Sequence, residues 1–403
     1  MFRLHRAIPD ALGGAGGGRG GAAVARRVVC APNAYKGALS AADAAAAMAR
    51  GVRAAGAVPI ELPVADGGDG TLDVLLATSP SARSETLAVT GPLAGRVWAR
   101  LGWMDGLRTH AVIELAEASG LRLLPSGNRD ALRASTRGTG ELIAAALRRG
   151  ARQVTVGTGG SASTDGGAGA LGALGLRLLD GRGRALGEGG VALLELDRAD
   201  ASSLDGTVRQ ARIELAVDVD APLLGDRGAA TVFGPQKGAT HDQLAVLEAG
   251  LARLAGVLER DLGVDERLRQ QQGAGAAGGF AYGMTALGAR IVPGARLVCD
   301  LVGLDGALAG AQLVLTGEGR LDASTAAGKA PFEVARRARL GGVPCIALVG
   351  AVAGPVSDCF TQAHLIGPSL DVDESMRRTA ELLEVAAEQA VSDVLETLPQ
   401  SDQ

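Results

Sequence analysis

Aromatic residues are scarce, making up 2% of a 403-residue chain. A core must therefore come from Ala, Val and Leu, and there is little material for stacking bases on aromatic platforms. Neither sign of charge is in surplus: 40 basic residues face 44 acidic ones, for a formal net charge of -4. No global field draws in a nucleic acid or a membrane surface, and the expected partner is a small molecule. The four cysteines, Cys30, Cys299, Cys345 and Cys359, are far apart and form no CxxC pair, which leaves buried thiols as their reading. His5, His110, His241 and His364 are equally dispersed, so no histidine metal cluster is expected. No apolar run reaches the roughly 18 residues that span a bilayer, and no signal peptide is recognisable; the expected location is the cytoplasm. A Walker A loop is missing too, because Gly328-Lys329 is followed by Ala330 and lacks the upstream glycine. The protein-kinase catalytic-loop set is likewise absent. Any nucleotide phosphate must be held by another arrangement.

Glycine is in excess, with 61 residues, roughly twice the usual share of about 7%. Much of it lies in short loops between apolar runs, where backbone N–H groups can approach an anion closely. Residues 1–26 combine glycine with scattered arginine, a composition that cannot bury a core and predicts disorder. From Arg27 onward, short β-branched runs alternate with Ala- and Leu-rich segments at helical spacing, the pattern of βα units in a largely parallel sheet. Strands are expected at 28–31, 60–64, 154–156, 213–217, 313–315 and 346–349. Ser40 through Asp43 reads as a capping box opening a helix to about Gly56. Further helices are expected from Gly138 to Gly150 and from Glu374 to about 398.

Ligands of open α/β sheets bind beyond the carboxyl ends of the strands, and the loops at those places carry the unusual residues. The first is Ala31-Pro32-Asn33-Ala34-Tyr35-Lys36-Gly37, where Lys36 could pair with phosphate or carboxylate or simply be solvated. The second, Val64-Ala65-Asp66-Gly67-Gly68-Asp69-Gly70-Thr71, offers two carboxylates suited to a hydrated Mg²⁺, or an Asp-Gly turn that caps a helix. The third runs from Gly157 to Gly169 and includes Gly159, Gly160, Ser161 and Asp165. Its N–H groups and hydroxyls would wrap an anion, with Asp165 holding metal or taking a hydroxyl proton. The fourth, Thr316 to Asp322 followed by 324–329, gathers Glu318, Arg320, Asp322 and Lys329, a mixture suited to Mg²⁺ and polyphosphate or to a surface ion-pair cluster. A weaker segment, Phe233 to Gly238, places Lys237 in a tight turn.

Taken in order, APNAYKGALSA, VADGGDGT, STRGTGELI, GTGGSASTDGGAG, FGPQKGA, GAGAAGG and LTGEGRLDASTAAGK resemble the bacterial glycerate kinase type 1 family over about residues 27–355. The resemblance implies an α/β enzyme of two domains. A flavodoxin-like parallel-sheet domain would comprise 27–105 plus 310–403, with a second α/β domain inserted at 106–309 and the active site in the cleft between them. It also implies ATP and Mg²⁺ as cofactors and D-glycerate as acceptor, giving 2-phosphoglycerate that feeds glycolysis from glyoxylate or sugar-acid breakdown. On that basis Asp66, Glu318 and Asp322 are expected at the metal, Lys36 and Lys329 at the moving phosphoryl group, and Arg320 at a carboxylate or phosphate. Asp165 is expected to orient the attacking hydroxyl, and Asp66 joins the catalytic set. Gly159, Gly160, Ser161 and Lys237 are expected to bind substrate or phosphate. The chain departs from the family pattern at Asn33 and Ala34, where Asp and Ser are usual, at Asp69 in place of Glu, and at Thr164 in place of Asn.

Two rival readings remain at this level. Gly157-Thr158-Gly159-Gly160-Ser161-Ala162 fits the dinucleotide fingerprint after a strand, with Asp180 about 20 residues on. Against it, Asp165-Gly166-Gly167 would disrupt the helix meant to seat a pyrophosphate, and the second match, at 273–278, follows a polar segment. A non-catalytic sensor of small acids is the other, though such a module needs no combination of acids with lysines.

Overall fold

The computed structural model describes residues 26–322, 328–354 and 356–397. Residues 1–25, with most of the expected disordered extension, and 323–327 of the fourth loop lie outside the described residues. In chain order the strands are β1 (Arg27–Cys30), β2 (Val58–Glu61), β3 (Arg83–Thr90), β4 (Arg96–Trp103), β5 (His110–Glu114), β6 (Gln153–Gly157) and β7 (Arg177–Asp180). They continue with β8 (Leu196–Asp200), β9 (Arg212–Val217), β10 (Arg290–Pro293), β11 (Leu313–Asp322), β12 (Cys345–Ala353) and β13 (Gln362–Leu365). The chain divides into two units, one of residues up to 65 and from 299 onward, the other of 66–298.

The discontinuous unit holds a five-stranded sheet in the order β13-β12-β11-β1-β2, every pairing parallel. Counted within the unit this is 2-1-3-4-5, the flavodoxin-like order. Each central strand is an apolar run, as a parallel sheet buried on both faces requires: Val28, Val29 and Cys30 are at most 1% exposed, and Leu313 through Leu315 at most 2%. Ser40 caps helix α1 (Ala41–Ala54), its hydroxyl accepting the Asp43 N–H at 3.1 Å. The buried face of α1 is almost wholly alanine with Met48 and Val52, so the helix Thr379–Thr397 approaches it closely. The expected C-terminal helix is in fact two, Val372–Arg377 and Thr379–Thr397, interrupted at Arg378.

The second unit holds a six-stranded mixed sheet in the order β10-β9-β6-β5-β4-β3. Its four strands from β5 to β10 are parallel, and the β3–β4 hairpin is added antiparallel to β5. Because β3 and β4 pair onto β5, residues 66–105 fall in this unit, whereas the expected division lay at 105/106 and 309/310. Strands β7 and β8 form a separate antiparallel pair. Helices α2 (Thr71–Thr78) and α5 (Ala168–Ala173) follow turns that carry motifs, α4 (Arg137–Arg148) begins within one, and α3 (Leu115–Ser119) continues directly from β5. Among the described residues no helix is long and apolar enough to cross a membrane.

The closeness of α1 to the last helix depends on Gly51, where a Cβ would lie 2.1 Å from the Glu384 carbonyl oxygen. Gly51→Val is expected to lower stability by about 1–3 kcal/mol, the usual cost of overpacking, read as a lower urea midpoint with unchanged slope.

Candidate active site

In the discontinuous unit the reversal of strand order falls between β1 and β11, the place where such sheets bind ligands. The chain leaving β1 stays in register with β11 for a few residues, Ala31 N–H donating to Leu315 O at 2.7 Å and Asn33 N–H to Gly317 O at 2.9 Å. Tyr35 then turns inward, 2% exposed, and its hydroxyl donates to Leu348 O at 2.6 Å. That anchor leaves the next residue, Lys36, exposed. The fourth loop is not a loop up to Asp322: β11 continues to that residue, paired with β12 through Asp322 and Ala353. Alternation along an extended strand therefore puts Glu318, Arg320 and Asp322 on one side. Arg320 is exposed and Glu318 is only 6% exposed. The Lys329 ammonium lies 3.9 Å from Glu318 Oε2 and 3.9 Å from Asp322 Oδ1. Burial, helped by the nearby Glu318 charge, holds the Tyr35 phenol well above its ordinary range, so Tyr35 stays a neutral donor.

In the unit of 66–298, the turn after Ala65 is closed by Asp66, whose Oδ1 accepts the Gly68 N–H at 3.2 Å. It lies against the third glycine-rich segment, with Gly159 N–H donating to Gly67 O at 3.2 Å. A Cβ on Gly159 would sit 2.5 Å from Gly68 Cα, so the two turns meet backbone to backbone and glycine is required there. Of residues 157–169 all but Gly159 and Gly160 are buried, Gly160 being exposed and Gly159 partly so. Ser161 is 7% exposed and bridges Gly120 as an isolated antiparallel pair.

Asp165, expected to touch substrate, is fully buried. Its carboxylate accepts Thr136 N–H and Oγ1–H, both at 2.8 Å, Gly167 N–H at 3.1 Å and Gly169 N–H at 3.2 Å. It ties the start of α5 to the residue before α4. Burial raises its pKa above the usual carboxylate value against the pull of those donors. Lys237, expected at a phosphate, is 2% exposed, and its ammonium donates to Ser163 O at 2.6 Å. Burial lowers its pKa to about 7, the Asp165 charge opposing. Ser163 Oγ and Thr164 Oγ1 are buried beside it without hydrogen-bond partners. Ser161 and Asp165 are buried because the segment after Gly160 turns into the core, and Lys237 reaches that segment from a separate turn.

Two carboxylates escaped the sequence reading. Glu114 ends β5 and is 2% exposed. Asp218 follows β9, its Oδ2 4.0 Å from where a Gly68 Cβ would be. Each is an acid at the end of an apolar run, a signal the chain does display. The dinucleotide fingerprint fails on context: α5 starts only at Ala168, and β7 is outside the parallel sheet. Asp180 there accepts the Arg182 and Arg184 N–H groups at 2.9 Å, closing a turn.

Parallel sheets carrying lysine, arginine and carboxylates at their carboxyl ends are the equipment of an α/β enzyme that acts on anions. The profile of the Glycerate kinase family matches residues 28–395. The chain is 42% identical over 369 residues to the glycerate kinase of Bacillus subtilis, covering 90% of this chain and 96% of that one. It is 41% identical over 333 residues to the glycerate 2-kinase of Escherichia coli K12, covering 82% and 86%. A crystal structure assigned as glycerate kinase 2 of Salmonella typhimurium LT2 superposes with a TM-score of 0.83 at 38% identity, covering 92% of this chain and 99% of that one. The chain belongs to the glycerate kinase family, phosphotransferases with an alcohol group as acceptor. Membership of a kinase family implies ATP as phosphoryl donor.

Asp165→Ala strands four buried donors, and a stability loss of roughly 3–5 kcal/mol is expected in urea unfolding, as for other broken buried networks. Lys237 gives a pH signature. Its pKa is about 7 folded against an ordinary 10.5, so between those values the unfolded chain binds the extra proton and stability rises with pH. Below pH 7 the burial cost is present in full. The difference in stability between parent and Lys237→Met should therefore shift in the parent's favour from pH 7 to pH 10, and a pH-independent difference would show that the amine stays charged in the fold.

Proposed function

We propose that this chain transfers the γ-phosphoryl group of ATP to the 2-hydroxyl of D-glycerate, giving 2-phosphoglycerate and ADP. The supporting observation is the grouping of Lys36, Glu318, Arg320, Asp322 and Lys329 at the point where a 2-1-3-4-5 sheet reverses its strand order. Phosphoryl transfer asks the protein chiefly to position its reactants and neutralise equatorial oxygens. Lys36 and Lys329 supply mobile positive charge, and Arg320 offers the planar fork that suits a carboxylate or phosphate. Asp66, braced on its own turn, is the carboxylate we assign to orient the acceptor hydroxyl, and Gly160 stands exposed at the end of the segment whose Gly159 N–H is taken by Gly67 O. The 2-position is favoured by the Escherichia coli relative named as a glycerate 2-kinase.

Mg²⁺ suits the donor set on β11. Among the described residues no group of three or more His, Cys, Asp or Glu side chains could hold a metal. A magnesium ion needs only one or two carboxylates, with water and phosphate completing its shell. Glu318 and Asp322 are such a pair, and the Lys329 ammonium 3.9 Å from each marks a position where positive charge is welcome. Bound there, the ion would neutralise charge on the phosphate oxygens.

The test is ADP release from MgATP with and without D-glycerate, with the product identified by phosphorus NMR. Glycerate-dependent release and 2-phosphoglycerate are expected; release indifferent to glycerate rejects the reading, and 3-phosphoglycerate rejects its regiochemistry. Lys329→Met is expected to lower kcat by roughly 100-fold, the scale of one removed electrostatic stabiliser, with stability near that of the parent because the side chain is 29% exposed.

A further inference from the structure

We propose that Glu114 is a positioning residue for the reaction, a carboxylate at the end of β5 that holds the start of α2 and, through it, the turn containing Asp66. Helix α2 begins after Gly70, which stands at φ 92° and gives no side-chain cap. The Thr71 N–H is taken by Gly68 O at 3.3 Å, but no side chain of the turn accepts from the next N–H, that of Leu72. Glu114, 42 residues further along, supplies the acceptor: Oε1 accepts the Leu72 N–H at 2.7 Å. A carboxylate is the favoured partner there because the N-terminus of a helix carries partial positive charge.

The hold extends back along the chain. Thr71, beside Leu72 and fully buried, donates its hydroxyl to Gly68 O at 2.8 Å. Gly68 N–H is the donor to Asp66 Oδ1, and Gly67 O accepts from Gly159. Glu114 is itself paired in register with Gly157 at the end of β6. One buried carboxylate thus lies under both turns that meet at Gly68 and Gly159.

The charged groups around it do not neutralise it directly. Arg100 of β4 is bonded to Asp73 of α2 at 2.5 Å and to Glu117 of α3 at 2.8 Å, and Arg122 is bonded to Glu117 at 2.7 Å. Asp73 and Glu117 repel the Glu114 charge, while Arg122 and the Leu72 N–H favour it. Burial dominates and pushes the carboxyl up to about 7. Above that pH the carboxylate grips α2 with a full charge; below it the acid is neutral and the grip weakens.

The role rests on the kinase reading, and two measurements separate it from that reading. In the parent, kcat/KM for the acceptor should fall about tenfold from pH 8 to pH 6 with an apparent pKa near 7, the scale of a lost charge–dipole contact. Glu114→Gln keeps an oxygen for Leu72 but no charge, so it should show the low value throughout this range. Glu114→Ala should be lower still, with the loss in kcat and not in KM for ATP. Amide hydrogen exchange needs no substrate: both variants should exchange faster at residues 67–74 and unchanged in β9 and β12. A Gln variant that keeps the parent's acid limb overturns the role, and so does exchange unaltered at 67–74. If glycerate proves not to be the acceptor, the exchange result alone decides whether Glu114 holds the turn.

Discussion

The buried carboxylate of Asp165 is the charge around which the unit of 66–298 is arranged. It takes donors from Thr136, 29 residues away, and from the neighbouring Gly167 and Gly169, whose N–H groups would otherwise be buried without acceptors. Satisfying them with one anion is economical, but it demands that the anion be held in place. Close packing of glycine does that, because Gly166 and Gly167 stand at positive φ and the chain wraps the carboxylate with little side-chain bulk. Lys237 completes the arrangement from a separate turn by fixing the Ser163 carbonyl. With the segment after Gly160 committed to the interior, Gly159 and Gly160 are left at its solvent-facing end.

The discontinuous unit solves a related problem with opposite means. Its exposed cations stand on a scaffold held by ion pairs around one buried guanidinium. Arg337, 7% exposed, is bonded to Glu333 at 2.7 Å, Asp300 at 2.7 Å and Asp305 at 3.2 Å. Three acids around one guanidinium leave an acidic surplus, and the adjoining Arg336 at 2.7 Å from Glu333 offsets part of it. The helix carrying them, Ala330–Leu340, begins directly after Lys329. Its register is therefore fixed by ion pairs several residues away from the lysine that faces Glu318 and Asp322. The lysine thus combines a rigid base with a flexible stem.

Parallel-sheet character was legible because β1, β6 and β9 are short runs rich in β-branched and apolar residues, and residue types at their ends announced anion chemistry. The β3–β4 hairpin was not legible. Its strands, RSETLAVT and RVWARLGW, alternate polar and apolar residues too irregularly for the period-two signal, since β3 lies at the edge of the sheet and Trp98 is 71% exposed. The site divided along a different line. Sequence shows which chemistry a loop can perform, but not which of its atoms face solvent. Asp165 and Lys237 have the residue types of an active site and the burial of a core. Glu114 is likewise an acid with the burial of a core, inside HAVIELAEA, and it reads as part of a strand until its bond to the Leu72 N–H is in view.

Asn33 illustrates how far a departure from a family pattern can be judged from geometry. Its Oδ1 accepts the Ala34 N–H at 2.8 Å and its own N–H donates to Gly317 O, so the side chain shapes the turn after β1 through an oxygen that aspartate and asparagine both possess. Replacing the carboxylate preserves that geometry and removes only its charge. A full negative charge at this position would repel Glu318, which the buried Tyr35 already senses. With asparagine there, the acidic character beside Lys36 rests on the residues of β11. The substitution therefore lowers the negative field where an anionic phosphate is proposed to bind, and it does so without unmaking the turn that presents Lys36.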